Sequence, residues 1–190
     1  MKKLIKSSAL IMSTFLTLSL IAANPGEPKP IKSSSVSWTA SKVTGKHSGI
    51  ITLGDSYLEM DGDRIVGGRI VVVMNSIVVT DLEGESKANL EGHLKSDDFF
   101  GVAQHPTASL DITGSTTNDD GSQAVTGNIT IKGVTQPITV TMFFKGNYAT
   151  TAINIDRTKF GIRYGSGSFF DNLGDKAIND EFQIRAKLEL

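Results

Sequence analysis

The chain has 190 residues, of which 39% are hydrophobic and 21% charged. This suits one globular domain with a substantial core. Lys and Arg number 19 against 20 Asp and Glu, a net charge of −1, so there is no basic excess to neutralise phosphates, which excludes nucleic-acid binding as the main task. Cysteine is absent, which removes disulfides, thiolate metal sites, iron–sulfur clusters and cysteine nucleophiles together.

Met1-Lys2-Lys3 and Lys6 form a positive start, and Ala9 to Ala23 is an apolar run ending before Asn24-Pro25-Gly26. This pattern reads as a signal peptide over residues 1–23 and directs the chain to the periplasm or the medium. The run is short for the ~20 residues of a membrane-spanning helix, so an uncleaved anchor is the weaker alternative. Residues 24–35, rich in Pro, Lys and Ser, read as a linker.

From Val36 the hydropathy period is two. Val36, Trp38 and Ala40 alternate with Ser37, Thr39 and Ser41; Ile51 and Leu53 flank Thr52; Ile70, Val72 and Met74 alternate with Arg69, Val71 and Val73. Thr80 to Lys95 breaks the rhythm with Leu82, Leu90 and Leu94 among charges. It reads as a short helix capped by Thr80 or Asp81 and weakened by Gly84 and Gly92. Alternation resumes around Leu110 and Ile112, then over Val125–Ile131, Ile138–Phe144 and Ala149–Ile155. A helical turn at Asp171–Ile178 precedes the last strand, Phe182–Leu188. About eight strands with one apolar face each must close into a barrel or stack as a sandwich. Alternation alone does not choose between these, nor does it say whether the apolar face points inward or toward lipid.

The candidate chemistry is sparse. His47, His93 and His105 lack metal-motif spacing, and His93 reads better as a cation at a helix C-terminus. Gly165-Ser166-Gly167-Ser168 lacks the elbow pattern of a serine hydrolase and reads as a turn before Phe169-Phe170. Asp156-Arg157, at a strand end, could clamp an anion, but a structural role fixing the turn before Phe160-Gly161 is the better reading. No cofactor or metal is implied.

Four stretches in order are specific enough to point to a family: Gly92-His93-Leu94-Lys95-Ser96-Asp97-Asp98-Phe99-Phe100 running to His105-Pro106; Val125 to Ile138 with Lys132-Gly133-Val134-Thr135-Gln136-Pro137; Ile155-Asp156-Arg157-Thr158-Lys159-Phe160-Gly161; and Asn179-Asp180-Glu181-Phe182. On these the chain resembles the YceI-like family of exported, lipocalin-like, polyisoprenoid-binding proteins over essentially everything beyond Trp38. The resemblance implies an all-β fold over residues 36–190: a single extended antiparallel eight-stranded barrel with one or two short helices and a lipophilic pocket.

The reading that follows is non-catalytic binding, transport or storage of a long-chain apolar ligand, such as a polyisoprenoid, an isoprenoid quinone, or a fatty acid or amide. Burying about 20 methylene equivalents at ~0.8 kcal/mol each gives roughly 16 kcal/mol gross, against ~4–15 kcal/mol for association and ordering, so few polar contacts are needed. The expected pocket residues are Trp38, Ile70, Val72, Met74, Phe99, Leu110, Ile129, Ile131, Val140, Met142, Phe144 and Phe169. A charge at Val140 or Met142 is expected to abolish binding. The expected partners are the lipid and a transient membrane or membrane-protein contact for its transfer, with a homodimer left open. The alternatives are a partner-binding barrel without lipid and, further off, an enzyme using His47 or His93 on a lipid headgroup.

Overall fold

The computed structural model describes residues 26–190, so the N-terminal basic and apolar segment lies outside the described residues. Ten strands form one antiparallel sheet. They are β1 (Glu27–Pro30), β2 (Ser33–Lys42), β3 (Gly45–Leu53), β4 (Tyr57–Asp61), β5 (Arg64–Val79), β6 (Thr107–Thr117), β7 (Gln123–Ile131), β8 (Val134–Lys145), β9 (Tyr148–Asp156) and β10 (Ile178–Glu189). The order is β1-β4-β5-β3-β2-β10-β9-β8-β7-β6, with a further pairing of β5 to β6. That pairing, from Gly68↔Ile112 to Val73↔Thr107, closes the sheet. Eight strands therefore make a closed barrel, and β4 and β1 extend from β5 outside the ring.

Each of the eight alternating segments read from the sequence is one barrel strand. Their apolar residues face inward: Val36, Leu110, Val125, Val140 and Leu188 are buried, while Lys187, Arg185, Thr139 and Thr141 are exposed. The barrel is neither a sandwich nor built with its apolar faces outward. Strands occupy part of the segment that reads as a linker, since β1 pairs with β4 from Glu27↔Met60 to Pro30↔Tyr57 and β2 begins at Ser33. Pro28 and Pro30 are acceptable there because β1 is an edge strand.

Both ends of the barrel are plugged. At one end the helix α1 (Gly84–Lys95) and the turns after it bring Leu94, Phe99 and Val102 against Trp38, Met74, Ile77 and Val79. Phe160 and Ile162, from the 3-10 turn Arg157–Phe160 and the residues after it, join the same cluster. The helix begins at Gly84 with Glu83 in the cap position and no side-chain cap, four residues after Thr80. Asp81 is engaged elsewhere: its Oδ1 accepts from Ser48 N at 2.9 Å and its Oδ2 contacts His47 Nδ1 at 2.9 Å, which ties the helix approach to β3. The helical turn read over 171–178 is a 3-10 turn at Gly174–Lys176.

At the other end the β4–β5 hairpin packs Leu58, Met60 and Ile65 against Leu110, Ile112, Val125, Val140 and Met142. Buried Gln123 ties this hairpin down. Its Oε1 accepts from Ile65 N at 2.9 Å and from Ser115 Oγ at 2.8 Å, and its Nε2 donates to Asp63 O at 2.6 Å. Gly68 allows the close approach of β5 to β4: its φ is +137°, and a Cβ there would lie 2.6 Å from Tyr57 O.

Candidate ligand-binding cavity

Between the two plugs lies a cavity of about 170 Å³. Every barrel strand contributes to its wall, and all except β3, β7 and β8 supply three or more residues. From β2 come Val36, Trp38 and Ala40; from β3, Ile51 and Leu53; from β5, Ile70, Val72, Met74 and Ile77. β6 adds Ala108, Ser109 and Leu110, β7 adds Ile129 and Ile131, and β8 adds Met142. The last two strands give Thr151, Ile153 and Ile155 from β9 and Ile178, Asn179, Phe182, Ile184, Ala186 and Leu188 from β10. Leu94, Phe99 and Phe100 close the helix end, with Phe99 and Phe100 edge to face at 5.0 Å and Phe100 to Phe182 at 6.2 Å. Many inward side chains of this wall, such as Val72, Ile129, Ile153 and Ile184, are only half-buried although the barrel encloses them. They face open space rather than a packed neighbour. A cavity so largely apolar offers a water few polar partners.

One charge reaches the wall. Arg157 is 1% exposed, and all its donors are used. Nε donates to Asn179 O at 3.0 Å; Nη1 donates to Ile162 O at 3.0 Å and Tyr164 O at 2.8 Å; Nη2 donates to Ile178 O at 3.0 Å and reaches Asp180 Oδ1 at 3.5 Å. Burial lowers the guanidinium pKa below its ordinary value, opposed by Asp180 and Asp156. Arg157 is thus a fastener that joins the turn after β9 to the start of β10, with no N–H left for an anion. Asp156 does not pair with it. Its Oδ1 accepts from Thr158 N at 3.0 Å and Thr158 Oγ1 at 2.6 Å, capping the 3-10 turn.

Nine of the twelve expected pocket residues line the cavity: Trp38, Ile70, Val72, Met74, Phe99, Leu110, Ile129, Ile131 and Met142. Three do not. Val140 faces inward but is packed solid in the cluster under the β4–β5 hairpin, so a charge there would attack the core rather than probe the cavity. Phe144 lies further toward that end, partly buried against the same cluster. Phe169 is 46% exposed in the connection to β10, with the Arg163 guanidinium 4.5 Å above its ring. The walls contributed by β9 and β10 were legible in the same period-two pattern, at Ile153, Ile155, Ile184, Ala186 and Leu188.

The three histidines are dispersed. His47 sits on β3 against Asp81, and His105 stands beside Gly101 and Gly133. His93, in the last turn of α1, lies between Tyr164 at 4.3 Å and Phe99 at 5.7 Å. Among the described residues no group of three His, Asp or Glu side chains converges on one point.

A closed antiparallel barrel with both ends plugged and an apolar cavity between them is the lipocalin-like architecture. Residues 29–190 match the YceI-like domain, and the chain belongs to that family. Among curated relatives, the UPF0312 protein of Pseudomonas aeruginosa is 31% identical over 101 residues, which are 50% of this chain and 50% of that protein. The chain spans half or less of the length of the curated relatives it matches first. Among solved structures, BcnA of Burkholderia cenocepacia superposes with a TM-score of 0.63 at 21% identity, over 82% of this chain and 94% of that one. A polyisoprenoid-binding domain of Saccharophagus degradans, implicated in plant cell wall breakdown, gives a TM-score of 0.59 at 12% identity, over 84% and 95%. At these identities the two structures establish the shared fold.

Proposed function

We propose that the protein holds one long-chain apolar ligand, of polyisoprenoid, isoprenoid-quinone or fatty acid or amide type, non-covalently inside the barrel, and carries or stores it in the periplasm without chemical change. The observation that carries this reading is the cavity wall: it is overwhelmingly apolar, and its single charge, Arg157, has every donor committed to the protein. A slender hydrocarbon gains by leaving water there, whereas a charged group inside would find no counter-charge free. The polyisoprenoid-binding domain of Saccharophagus degradans, with the same fold, supports the reading. The basic and apolar first residues motivate the periplasmic assignment.

The test is native mass spectrometry of protein recovered from its export compartment, followed by organic extraction. A stoichiometric long-chain lipid is expected. Ala186→Trp, which places an indole on the wall from β10, is expected to fold and to lose that lipid. A clean unliganded mass together with no uptake from a total lipid extract would overturn the proposal.

A further inference from the structure

Four of the nine exposed large apolar side chains among the described residues lie at one end of the barrel. Tyr164 is 48% exposed, Phe169 46% and Phe170 51%, all within the connection between the 3-10 turn and β10. Val43, 66% exposed at the β2–β3 turn, adjoins them through its N–H, which donates to Ala177 O at 3.2 Å. Three exposed aromatic side chains within residues 164–170 are uncommon on a free surface and mark a contact.

This patch is held in place by a built frame. Ser166, fully buried, accepts through its carbonyl from the N–H groups of Phe169 and Phe170 at 3.1 and 3.0 Å. Ser168 Oγ donates to Asp180 Oδ2 at 2.6 Å, and the Arg157 guanidinium donates to the carbonyls of Ile162 and Tyr164. The two phenylalanines thus sit on a turn closed by the Ser166 carbonyl, and the arginine that borders the cavity holds the start of the same connection at Ile162 and Tyr164. The patch is also continuous with the cavity wall: Gly165 packs on Ile178, a wall residue, and Ser166 bridges to it.

Charge selects the partner. Segments 42–46 and 161–177 carry four exposed cations, Lys42, Lys46, Arg163 and Lys176, against two carboxylates, Asp171 and Asp175, on a chain whose net charge is −1. None of these six groups is in an ion pair among the described residues. Arg163 stacks on Phe169, so an apolar ring and a cation are offered together. Exposed aromatic rings in segments with an excess of Lys and Arg match the boundary between anionic headgroups and acyl chains.

We propose that this end of the barrel docks on an anionic lipid bilayer, with Phe169 and Phe170 inserted at the headgroup–acyl boundary and Lys42, Lys46, Arg163 and Lys176 on the headgroups. The proposal deepens the carrier reading by naming the surface from which an apolar ligand is loaded, and it rests on that reading only for its purpose, not for its geometry.

The experiment uses the full chain carrying Phe170→Trp, mixed with vesicles of phosphatidylcholine and phosphatidylglycerol. The chain's one tryptophan, Trp38, is buried in the barrel and supplies a constant background. The introduced indole is expected to shift to shorter wavelength and to be quenched by brominated acyl chains. Neutralising Arg163 and Lys176 in the same background should weaken vesicle partition about 25-fold, at about fivefold per cation. No shift and no quenching at any lipid concentration would overturn the docking proposal, even if the protein still takes up ligand from a lipid extract. Quenching by a protein that never takes up ligand would leave docking standing and refute the carrier reading instead. Quenching that is equal on purely zwitterionic vesicles would overturn the charge-selective part of the proposal.

Discussion

Replacing Arg157 by methionine tests the claim that this residue fastens the molecule rather than serving a ligand. Methionine keeps most of the aliphatic volume and supplies no donor. Four backbone carbonyls, of Ile162, Tyr164, Ile178 and Asn179, lose their charged donor at once. Hydrogen bonds from a charged donor contribute ~1.5–3 kcal/mol each, so the gross loss is on the order of 6–12 kcal/mol. Removing the guanidinium also removes the cost of burying it, and deleting one partner from buried ionic groups nets about 3–5 kcal/mol. For a domain of this size, ~2–4 °C per kcal/mol converts this to a fall in Tm of roughly 6–20 °C. Urea unfolding followed by circular dichroism measures the free energy, and hydrogen exchange locates the change. Protection should vanish first over residues 161–170 and at the start of β10. Arg157→Lys, with three donors on a flexible stem, should recover only part of the loss. A cost below about 1 kcal/mol with unchanged exchange over 161–170 would refute the fastening argument.

Other outcomes follow from the same contacts. Gln123→Leu should cost about 2 kcal/mol in urea unfolding, because the buried Ile65 N–H loses its acceptor; an unchanged midpoint would show that the β4–β5 hairpin is held by packing alone. Gly49→Ala should cost about 1–3 kcal/mol and shift the Trp38 emission, because a Cβ there would lie 2.6 Å from two indole carbons and meet the Val78 carbonyl oxygen. For Asp180, burial acts to raise the pKa, but hydrogen bonds from Ser166 and Ser168 and the charge of Arg157 outweigh it and hold the group below the ordinary 3.8. A depressed folded pKa means that the stabilisation is present above the unfolded value and is lost as pH falls through the folded one. The urea midpoint should therefore hold from about pH 7 to about pH 5 and decline below about pH 4, and Asp180→Asn should make that decline shallower. An identical decline in the variant would remove Asp180 from the account.

The barrel was legible because each wall strand hides one face, and that requirement writes a period of two into Val36–Ala40, Val125–Ile131 and Phe182–Leu188 alike. What the period does not encode is depth along the barrel axis. Val140 and Met142 share a face and both pack in the cluster with Leu58 and Ile65 of a hairpin tied down by Gln123, yet only Met142 also borders the cavity. β4 carries the signal in Leu58 and Met60, but a strand of five residues gives the alternation too few repeats to stand out. β1 contains two prolines in four residues and takes its strand geometry from β4. The helix start was misread because Asp81 has capping chemistry, and that chemistry is spent on Ser48 and His47 thirty-odd residues away. Phe169 belongs to no alternating segment, so nothing local fixed the direction of its ring.

The barrel closes through β10, the last strand in chain order, which pairs with β9 on one side and with β2 on the other, from Phe182↔Ala40 to Glu189↔Ser33. Until β10 has emerged, β2 and β9 each present a bare edge and the wall lacks six of its residues. A chain being synthesised or threaded through a pore cannot complete this fold early; closure waits for contacts more than 140 residues apart along the chain and is correspondingly slow. The same closure lays position 33 beside position 189, with Ser33 Oγ donating to Glu189 Oε2 at 2.7 Å. A chain joined there and cut at the β8–β9 turn would carry the same barrel in a different reading order.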